Sequence, residues 1–197
     1  GYASAIAYLL FAVMLGLSLA LLAVQGDLGA ALLLFAIGLA MLYLASGRMG
    51  YVSAGLGLFG MGAWALLARM SVVQTRIAIW RDPWSDASDA GYQLIQSLMA
   101  LGAGGATGTG LAQGLPTAIP AVHTDFVYSA LAEELGLAGV AAVTALYVIL
   151  ALRGYRIAVT AATSFRAILA AGLTVALTLQ ALIIIGGVVR LVPLTGI

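Results

Sequence analysis

Cysteine and lysine are absent from this chain of 197 residues, and histidine occurs only as His123. The absence of cysteine excludes a disulfide scaffold, a thiol nucleophile and a cysteine-ligated zinc site. Charged residues make up 8% of the chain and apolar residues 63%, with a mean hydropathy of +1.14. A soluble domain carries about 25% charged residues, so this composition excludes a water-facing surface and indicates an integral membrane protein.

The few charges of the chain exclude further classes. The net charge is +1, which gives no indication of nucleic-acid binding, and we expect no nucleic-acid partner. A single histidine cannot form a multi-histidine metal site. Because the chain starts at Gly1 without Met and stops at Ile197 inside an apolar pattern, we interpret it as part of a longer membrane protein, not as a signal peptide plus domain.

Long apolar segments predict an all-α polytopic membrane protein. A membrane-spanning helix needs about 20 mostly apolar residues. Five segments of a single transmembrane domain (1–197) meet this length, namely 3–24, 28–47, 49–68, 126–152 and 167–189. Close packing between helices is predicted at their glycines, among them Gly55, Gly57, Gly60, Gly62, Gly186 and Gly187.

The arginines predict the orientation of these spans. Alternating the spans gives one side without acidic residues, which holds Arg48, Arg153, Arg156 and Arg166. The other side holds every acidic residue together with Arg69, Arg76, Arg81 and Arg190. Three of the latter arginines border or lie in one long loop, which the positive-inside rule discounts. The first side is therefore predicted to be cytoplasmic, and residues 70–124 to form an extracytoplasmic loop.

Two stretches of this loop have recognisable patterns. In GYQLIQSLMAL (91–101) the apolar residues recur at helical spacing, which predicts a short amphipathic helix on the membrane surface. The glycine-rich GAGGATGTGLAQG (102–114) lacks the GK[ST] ending of a phosphate loop and has no preceding strand, so nucleotide-binding fingerprints fail. Two interpretations remain for it: a loop whose backbone N–H groups contact an anion, or a flexible turn.

Most of the acidic residues have a structural interpretation. Asp27 precedes an apolar span, where an N-cap is the first expectation, and Asp82, Asp86 and Asp89 resemble helix-start residues in a solvated loop. The adjacent Glu133 and Glu134 point about 100° apart on a helix and cannot both face lipid cheaply. One of them is expected to pair with an arginine such as Arg190 or Arg81.

Asp125 lies where the loop meets the fourth span, in the sequence HTDF (123–126). A helix cap is one interpretation. The other is a general base, because low-dielectric surroundings raise the pKa of a carboxyl group towards the value that a base needs. His123 is then a candidate for orienting the carboxylate or binding a phosphate, although a polar contact within the loop is the favoured interpretation.

The motifs together resemble a known family. GYQLIQSLMALGAGGATGTGLAQG, HTDF, AEELG (132–136), QGDLG (25–29) and LVPLTGI (191–197) are similar to stretches of the RodA/FtsW type of SEDS (shape, elongation, division and sporulation) proteins. The similarity extends from about Gln25 to Ile197. Two positions depart from the family pattern: Gly26 replaces the proline of QPDLG, and Ala121 replaces the glutamate of PEAHTDF, so no role of that glutamate transfers.

The resemblance implies a bundle of about ten membrane helices, of which this chain would be a fragment, and a glycosyltransferase that polymerises lipid II outside the bacterial cytoplasmic membrane. It implies that Asp125 is catalytic. The candidates for substrate binding are His123, Thr124, Glu133, Glu134, Arg76, Arg81, Arg190, Gln96 and Asp27. The three arginines or a divalent metal ion would stabilise the departing pyrophosphate, and a monofunctional penicillin-binding transpeptidase is the implied partner.

Two other functions are alternatives, a lipid II flippase and a non-catalytic scaffold for a transpeptidase. A transporter should carry functional charges near the middle of the membrane. Here the acidic residues all fall at the outer ends of the predicted spans or in the loop. This distribution favours chemistry at the outer surface, while a scaffold would tolerate the loss of Asp125.

Overall fold

The computed structural model describes residues 2–115, 119–120 and 122–193, without the side chains of 2–5 and 66–68. Ala121 and the end of LVPLTGI therefore lie outside the described residues. Within the described part the chain is helical and has no strand. Its helices are α1 (Tyr2–Gln25), α2 (Leu28–Ser46), α3 (Met49–Arg69), α4 (Ser71–Arg81), α5 (Tyr92–Gly104), α6 (Val127–Val159) and α7 (Ser164–Val188), with a 3-10 turn at Pro83–Asp86.

Four helices in the described part of the chain are long and apolar enough to cross a membrane: α1 from Ile6, α2, α6 and α7. Large apolar side chains remain exposed on them, as at Leu17 (64%) and Leu182 (60%), which suits contact with lipid. An all-α, multi-pass membrane protein is thereby confirmed. The predicted third span also forms a helix, α3.

Two helix boundaries differ from the hydropathy-based prediction by more than one residue. The helix α6 continues to Val159, seven residues past the predicted end at 152, and α7 begins at Ser164 instead of 167. Thr163 accounts for the earlier start, because its carbonyl accepts a hydrogen bond from the N–H of Ala167 (3.0 Å) and its Oγ1 accepts one from the N–H of Arg166 (3.4 Å). Hydropathy gives only the ends of the apolar segment, whereas the helix itself extends as far as its backbone hydrogen bonds, which include polar residues at both ends.

The chain divides into two compact units, and the first consists of Gly1–Arg69 and Ala151–Gln180. Close helix packing occurs there at Gly55, where an added Cβ would lie 2.6 Å from Leu39 Cδ1, and at Gly38, where it would lie 2.6 Å from Leu15 Cδ2. Close packing was predicted at Gly57, Gly60 and Gly62 as well, but no described atom lies within 4 Å of a Cβ built there. Those glycines face open space.

The turn before α2 confirms the cap predicted for Asp27. Its Oδ1 accepts a hydrogen bond from the N–H of Ala30 at 2.9 Å. Gly26 has φ +78°, a left-handed conformation that proline, with φ near −65°, cannot adopt. The replacement of proline by Gly26 therefore changes the backbone of this turn as well as its stiffness.

Replacing Asp27 by Ala is expected to destabilise α2 by about 1 kcal/mol, because an N-terminal N–H loses its acceptor. The measurement is the thermal unfolding of the full-length natural protein in detergent. Asp27→Asn keeps a capping oxygen and serves as the control, with a melting temperature near that of the wild type. An Ala variant as stable as the Asn variant would contradict the assignment.

The second unit consists of Met70–Leu150 and Ala181–Thr195. It contains the segment 70–124, which the sequence analysis treated as a loop and which holds two helices, α4 and α5. The helix α5 was predicted and α4 was not. Leu94 and Ile95 of α5 are buried within the protein (2% and 3% exposed), so this part of its apolar face packs against protein, not against a membrane surface. A buried cluster gathers near the start of α6: Ala100, Ile119, Val122, Phe126 and Val188.

Candidate active site

Asp125 is held between two buried residues of the apolar cluster. Phe126 is 1% exposed and Val122 is 8% exposed, whereas Asp125 itself is partly exposed. Residues 122–126 form a turn and α6 begins at Val127. The carboxylate therefore lies at the edge of an apolar core with access to the surface.

The surroundings of Asp125 change its acidity. Burial raises the pKa of its carboxyl group above the ordinary value, and a hydrogen bond from Thr124 and the positive charge of Arg76 each lower this pKa without cancelling the effect of burial. A raised pKa strengthens the carboxylate as a base, and the two partners keep it available in the ionised form. This combination is what general-base catalysis requires.

Arg76 and Thr124 thus act on Asp125, a role that the sequence analysis gave to His123. The His123 side chain is exposed. Arg76 comes from α4, the helix that sequence analysis missed, so its relation to Asp125 could not be anticipated. Gln96 lies on α5 with a partly exposed side chain, and the structure gives it no described contact with Asp125.

The helix α6 is broken at Gly136, eleven residues after Asp125. Gly136 has φ 67° and ψ −168°, which no α-helix accommodates. In an uninterrupted helix the carbonyls of Glu133 and Glu134 would accept hydrogen bonds from the N–H groups of Leu137 and Ala138. The break removes both bonds in a segment where unpaired backbone groups are costly.

The glycine-rich stretch gives each of these four backbone groups a new partner. The N–H of Thr109 donates to Glu133 O (2.9 Å) and that of Gly110 to Glu134 O (3.1 Å). In return, the N–H of Leu137 donates to Gly105 O (2.9 Å) and the N–H of Ala138 to Ala106 O (3.2 Å). We call these four hydrogen bonds the clasp. The sequence left two interpretations for this stretch, an anion-binding loop and a flexible turn. Both are wrong at Thr109 and Gly110, because the N–H groups of these residues donate to α6 and attach the loop to it.

Glycine is required where the clasp brings the backbones together. A Cβ on Gly136 would collide with the backbone N of Gly108, and a Cβ on Gly108 would collide with the carbonyl of Glu134. A Cβ on Gly104, at the end of α5, would likewise collide with the carbonyl of Ala132.

A buried polar contact also joins α5 to α6. The hydroxyls of Ser97 and Ser129 share a hydrogen bond of 2.6 Å, and both residues are fully buried.

Glu133 fastens the loop through its side chain as well. Its Oε1 accepts a hydrogen bond from the N–H of Leu115 at 3.0 Å, and the residue is 9% exposed. One of the two glutamates was predicted to pair with an arginine such as Arg190 or Arg81. For Glu133 this prediction is wrong, because its described partner is the N–H of Leu115. Glu134 is partly exposed beside it. Glu133 therefore holds the chain that leads towards Asp125.

Arg190 binds the end of α4. Its Nη2 donates to the carbonyls of Trp80 (2.8 Å) and Arg81 (3.1 Å), and the indole N–H of Trp80 donates to Arg190 O (2.9 Å). Cations at a helix C-terminus compensate its orphan carbonyls and its negative partial charge. The three residues line one cavity.

Three of the remaining acidic residues make local hydrogen bonds of their own. Asp27 belongs to the first unit and caps α2. Asp82 accepts from the N–H of Trp84 (3.1 Å) at the start of the 3-10 turn, which confirms its helix-start role. Asp86 accepts from the N–H of Ala90 (3.4 Å) in the turn before α5. Among the described residues no three histidine, aspartate or glutamate side chains come together as a metal site.

Known proteins are similar in sequence to nearly the whole chain. The family model described as "Cell cycle protein" (FtsW, RodA and SpoVE) matches residues 3–197. A relative from Mycobacterium tuberculosis (strain ATCC 25618 / H37Rv), named peptidoglycan glycosyltransferase RodA, is 43% identical over 181 residues, which are 92% of this chain and 39% of the relative.

Two further relatives extend the comparison. The Mycobacterium leprae (strain TN) peptidoglycan glycosyltransferase RodA is 42% identical over 92% of this chain and 39% of its own length. A probable peptidoglycan glycosyltransferase FtsW from Geobacter sp. (strain M18) is 38% identical over 95% of this chain and 52% of its own. The chain thus spans about half the length of these relatives or less. It belongs to the FtsW/RodA/SpoVE family of cell cycle proteins.

Proposed function

We propose that the protein is a peptidoglycan glycosyltransferase that polymerises lipid II, with Asp125 as its general base. The observation that carries the proposal is the setting of Asp125: a carboxyl group whose pKa burial raises, held by Thr124 and Arg76 at the start of an apolar helix. The names of its relatives, peptidoglycan glycosyltransferases RodA and FtsW, support the same reaction.

In the proposed reaction the 4-hydroxyl of one sugar attacks the anomeric carbon of a second lipid II. Asp125 takes the proton of this hydroxyl as the new C–O bond forms. The bond between the anomeric carbon and the pyrophosphate breaks, and undecaprenyl pyrophosphate leaves with the bonding electrons. Arg76 and Thr124 act before this step, because they favour the ionised carboxylate that accepts the proton.

The proposal places this chemistry at the outer face of the bacterial cytoplasmic membrane. Support comes from the sequence, in which all acidic residues fall on one side of the predicted spans and three of the four arginines on that side border or lie in a long loop. The membrane-length helices agree with this location. It includes α3 as a fifth span, a bundle of about ten helices, and a penicillin-binding transpeptidase as partner in cell elongation or division. The described side chains form no three-ligand metal site, so no step is assigned to a divalent metal ion.

The test is the product that the purified full-length protein makes from lipid II in liposomes. A glycosyltransferase yields glycan strands and free undecaprenyl pyrophosphate. A flippase yields unchanged lipid II on the opposite leaflet, and a scaffold yields neither product. Lipid II that stays monomeric, with the transpeptidase added, would overturn the proposal.

The raised pKa of Asp125 predicts an acidic limb in the pH dependence of polymerisation. The base is active when ionised, so the rate should fall as the pH drops through this raised pKa. Arg76→Gln removes a charge that lowers the pKa, so its acidic limb should move to higher pH. The measurement is kcat against pH for Arg76→Gln and for Arg69→Gln, an exposed arginine at the end of α3. Identical limbs in both variants would contradict the role of Arg76.

A further inference from the structure

A cavity of about 310 Å³ opens at the end of α4, lined by Trp80, Arg81 and Arg190. Its volume lies at the lower end of the range for small-ligand sites, about 300–1,000 Å³. It therefore has room for a small polar group. Two of its three lining residues are arginines, so a positive charge lies beside that group.

The guanidinium of Arg190 is fixed before any ligand arrives. Both hydrogen bonds that the structure describes for it are made by Nη2, to the carbonyls of Trp80 and Arg81. The Trp80 indole binds the carbonyl of Arg190 in return. Arg190 also has φ +60°, a left-handed conformation that is uncommon for a non-glycine residue. Preorganisation of this kind lowers the entropy cost of binding.

The positive charge of the two arginines at the cavity favours an anionic ligand. Among the described residues, neither Arg81 nor Arg190 forms a salt bridge with an acidic side chain, so two like charges share one cavity. An arginine presents N–H donors in a planar fork that matches the oxygens of a phosphate. An anion between the two guanidinium groups would relieve their repulsion.

The position of the cavity connects it with Asp125. Trp80 follows Arg76 by four residues on α4, so their side chains lie on one face of the helix, about 6 Å apart along its axis. Arg76 acts on Asp125 and Trp80 lines the cavity. An anion in the cavity would thus lie about one helical turn from the arginine that faces the base.

We propose that the cavity of Trp80, Arg81 and Arg190 binds a phosphate group carried by a membrane lipid. On the proposed function, on which this part rests, the phosphate is the pyrophosphate of lipid II. This assignment separates the roles of three arginines that the sequence could not distinguish. Arg76 controls the base, whereas Arg81 and Arg190 hold the leaving group and stabilise the negative charge that develops on it.

The experiment compares the wild type with Arg81→Gln in the full-length protein, since Arg81 is exposed and Arg190 also caps α4. Three probes are used: inorganic pyrophosphate binding in detergent, the KM for lipid II, and phosphatidylglycerol binding in otherwise neutral nanodiscs. Arg81→Gln should weaken pyrophosphate binding about tenfold, the effect of one lost charge-assisted hydrogen bond. Arg69→Gln removes the same charge away from the cavity lining and should bind like the wild type.

The probes identify the lipid. If Arg81→Gln raises the KM for lipid II and leaves phosphatidylglycerol binding unchanged, the site belongs to the substrate. If it weakens phosphatidylglycerol binding and leaves the KM for lipid II unchanged, the site belongs to a phospholipid head group. An Arg81→Gln protein that binds all three probes like the wild type would overturn the proposal. Pyrophosphate binding needs no turnover, so Asp125→Asn should retain it. A failure of the proposed reaction is therefore distinguishable from a failure of the phosphate site.

Discussion

Asp125→Asn is expected to abolish glycan polymerisation by the full-length protein while leaving its fold intact. The two side chains have nearly the same shape, and the amide retains an oxygen that can accept a hydrogen bond from Thr124. It cannot take the proton of an attacking hydroxyl. General-base catalysis contributes about 10²–10⁴ in rate, so kcat should fall at least about 100-fold.

The measurement is strand formation from lipid II, with lipid II binding and thermal unfolding recorded for the same preparations. The matched control is Asp89→Asn, because Asp89 is an exposed carboxylate in the same unit. It should polymerise like the wild type. An Asp125→Asn variant that polymerises at the wild-type rate would show that the carboxylate is not the base. Attention would then turn to Glu133 and Glu134.

The second large effect is expected at the break in α6. Gly136→Ala puts a Cβ on a residue with φ 67° and against the backbone N of Gly108. The left-handed conformation alone costs about 1–2 kcal/mol for a residue with a side chain. Because the colliding atom belongs to the backbone, the clasp must also move, which weakens hydrogen bonds worth about 1 kcal/mol each. We expect a total destabilisation of roughly 2–4 kcal/mol.

Gly102→Ala is the control for this prediction. Gly102 lies in α5, in the same unit, and no described atom lies within 4 Å of a Cβ built on it. Alanine inside a helix is more favourable than glycine by about 0.5–1 kcal/mol, so this variant should be as stable as the wild type or more stable. Thermal unfolding in detergent checks both. Equal melting temperatures for the two variants would contradict the requirement for glycine at 136.

Hydropathy and local motifs were sufficient to predict much of the fold. Apolar runs predicted the helices because membrane-spanning segments must satisfy their backbone groups internally. The cap at Asp27 was predictable since it involves a donor only three residues away. The helix α5 followed from its apolar spacing. The helix α4 did not, because its sequence SVVQTRIAIWR is short and polar.

The parts of the site that sequence could not predict depend on contacts between distant residues. Trp80 and Arg190 are 110 positions apart, and Leu115 and Glu133 are 18 apart. One of the two glutamates was expected to pair with an arginine because these charges are visible in the sequence, whereas the acceptor role of Glu133 towards a backbone N–H is not. One signal was available for the break: Gly136 interrupts a long helical pattern, and an isolated glycine there often has a packing reason.

The clasp makes the attachment of the glycine-rich stretch cooperative. Its four hydrogen bonds join the carbonyls and N–H groups on both sides of Gly136 to residues 105–110. Releasing the stretch would break all four hydrogen bonds together, each with a net contribution of about 0.5–1.5 kcal/mol. A partly detached state would lose bonds without allowing α6 to form the helical bonds it lacks, since Gly136 still prevents them. The stretch is therefore attached or detached as a whole, and intermediate positions are poorly populated.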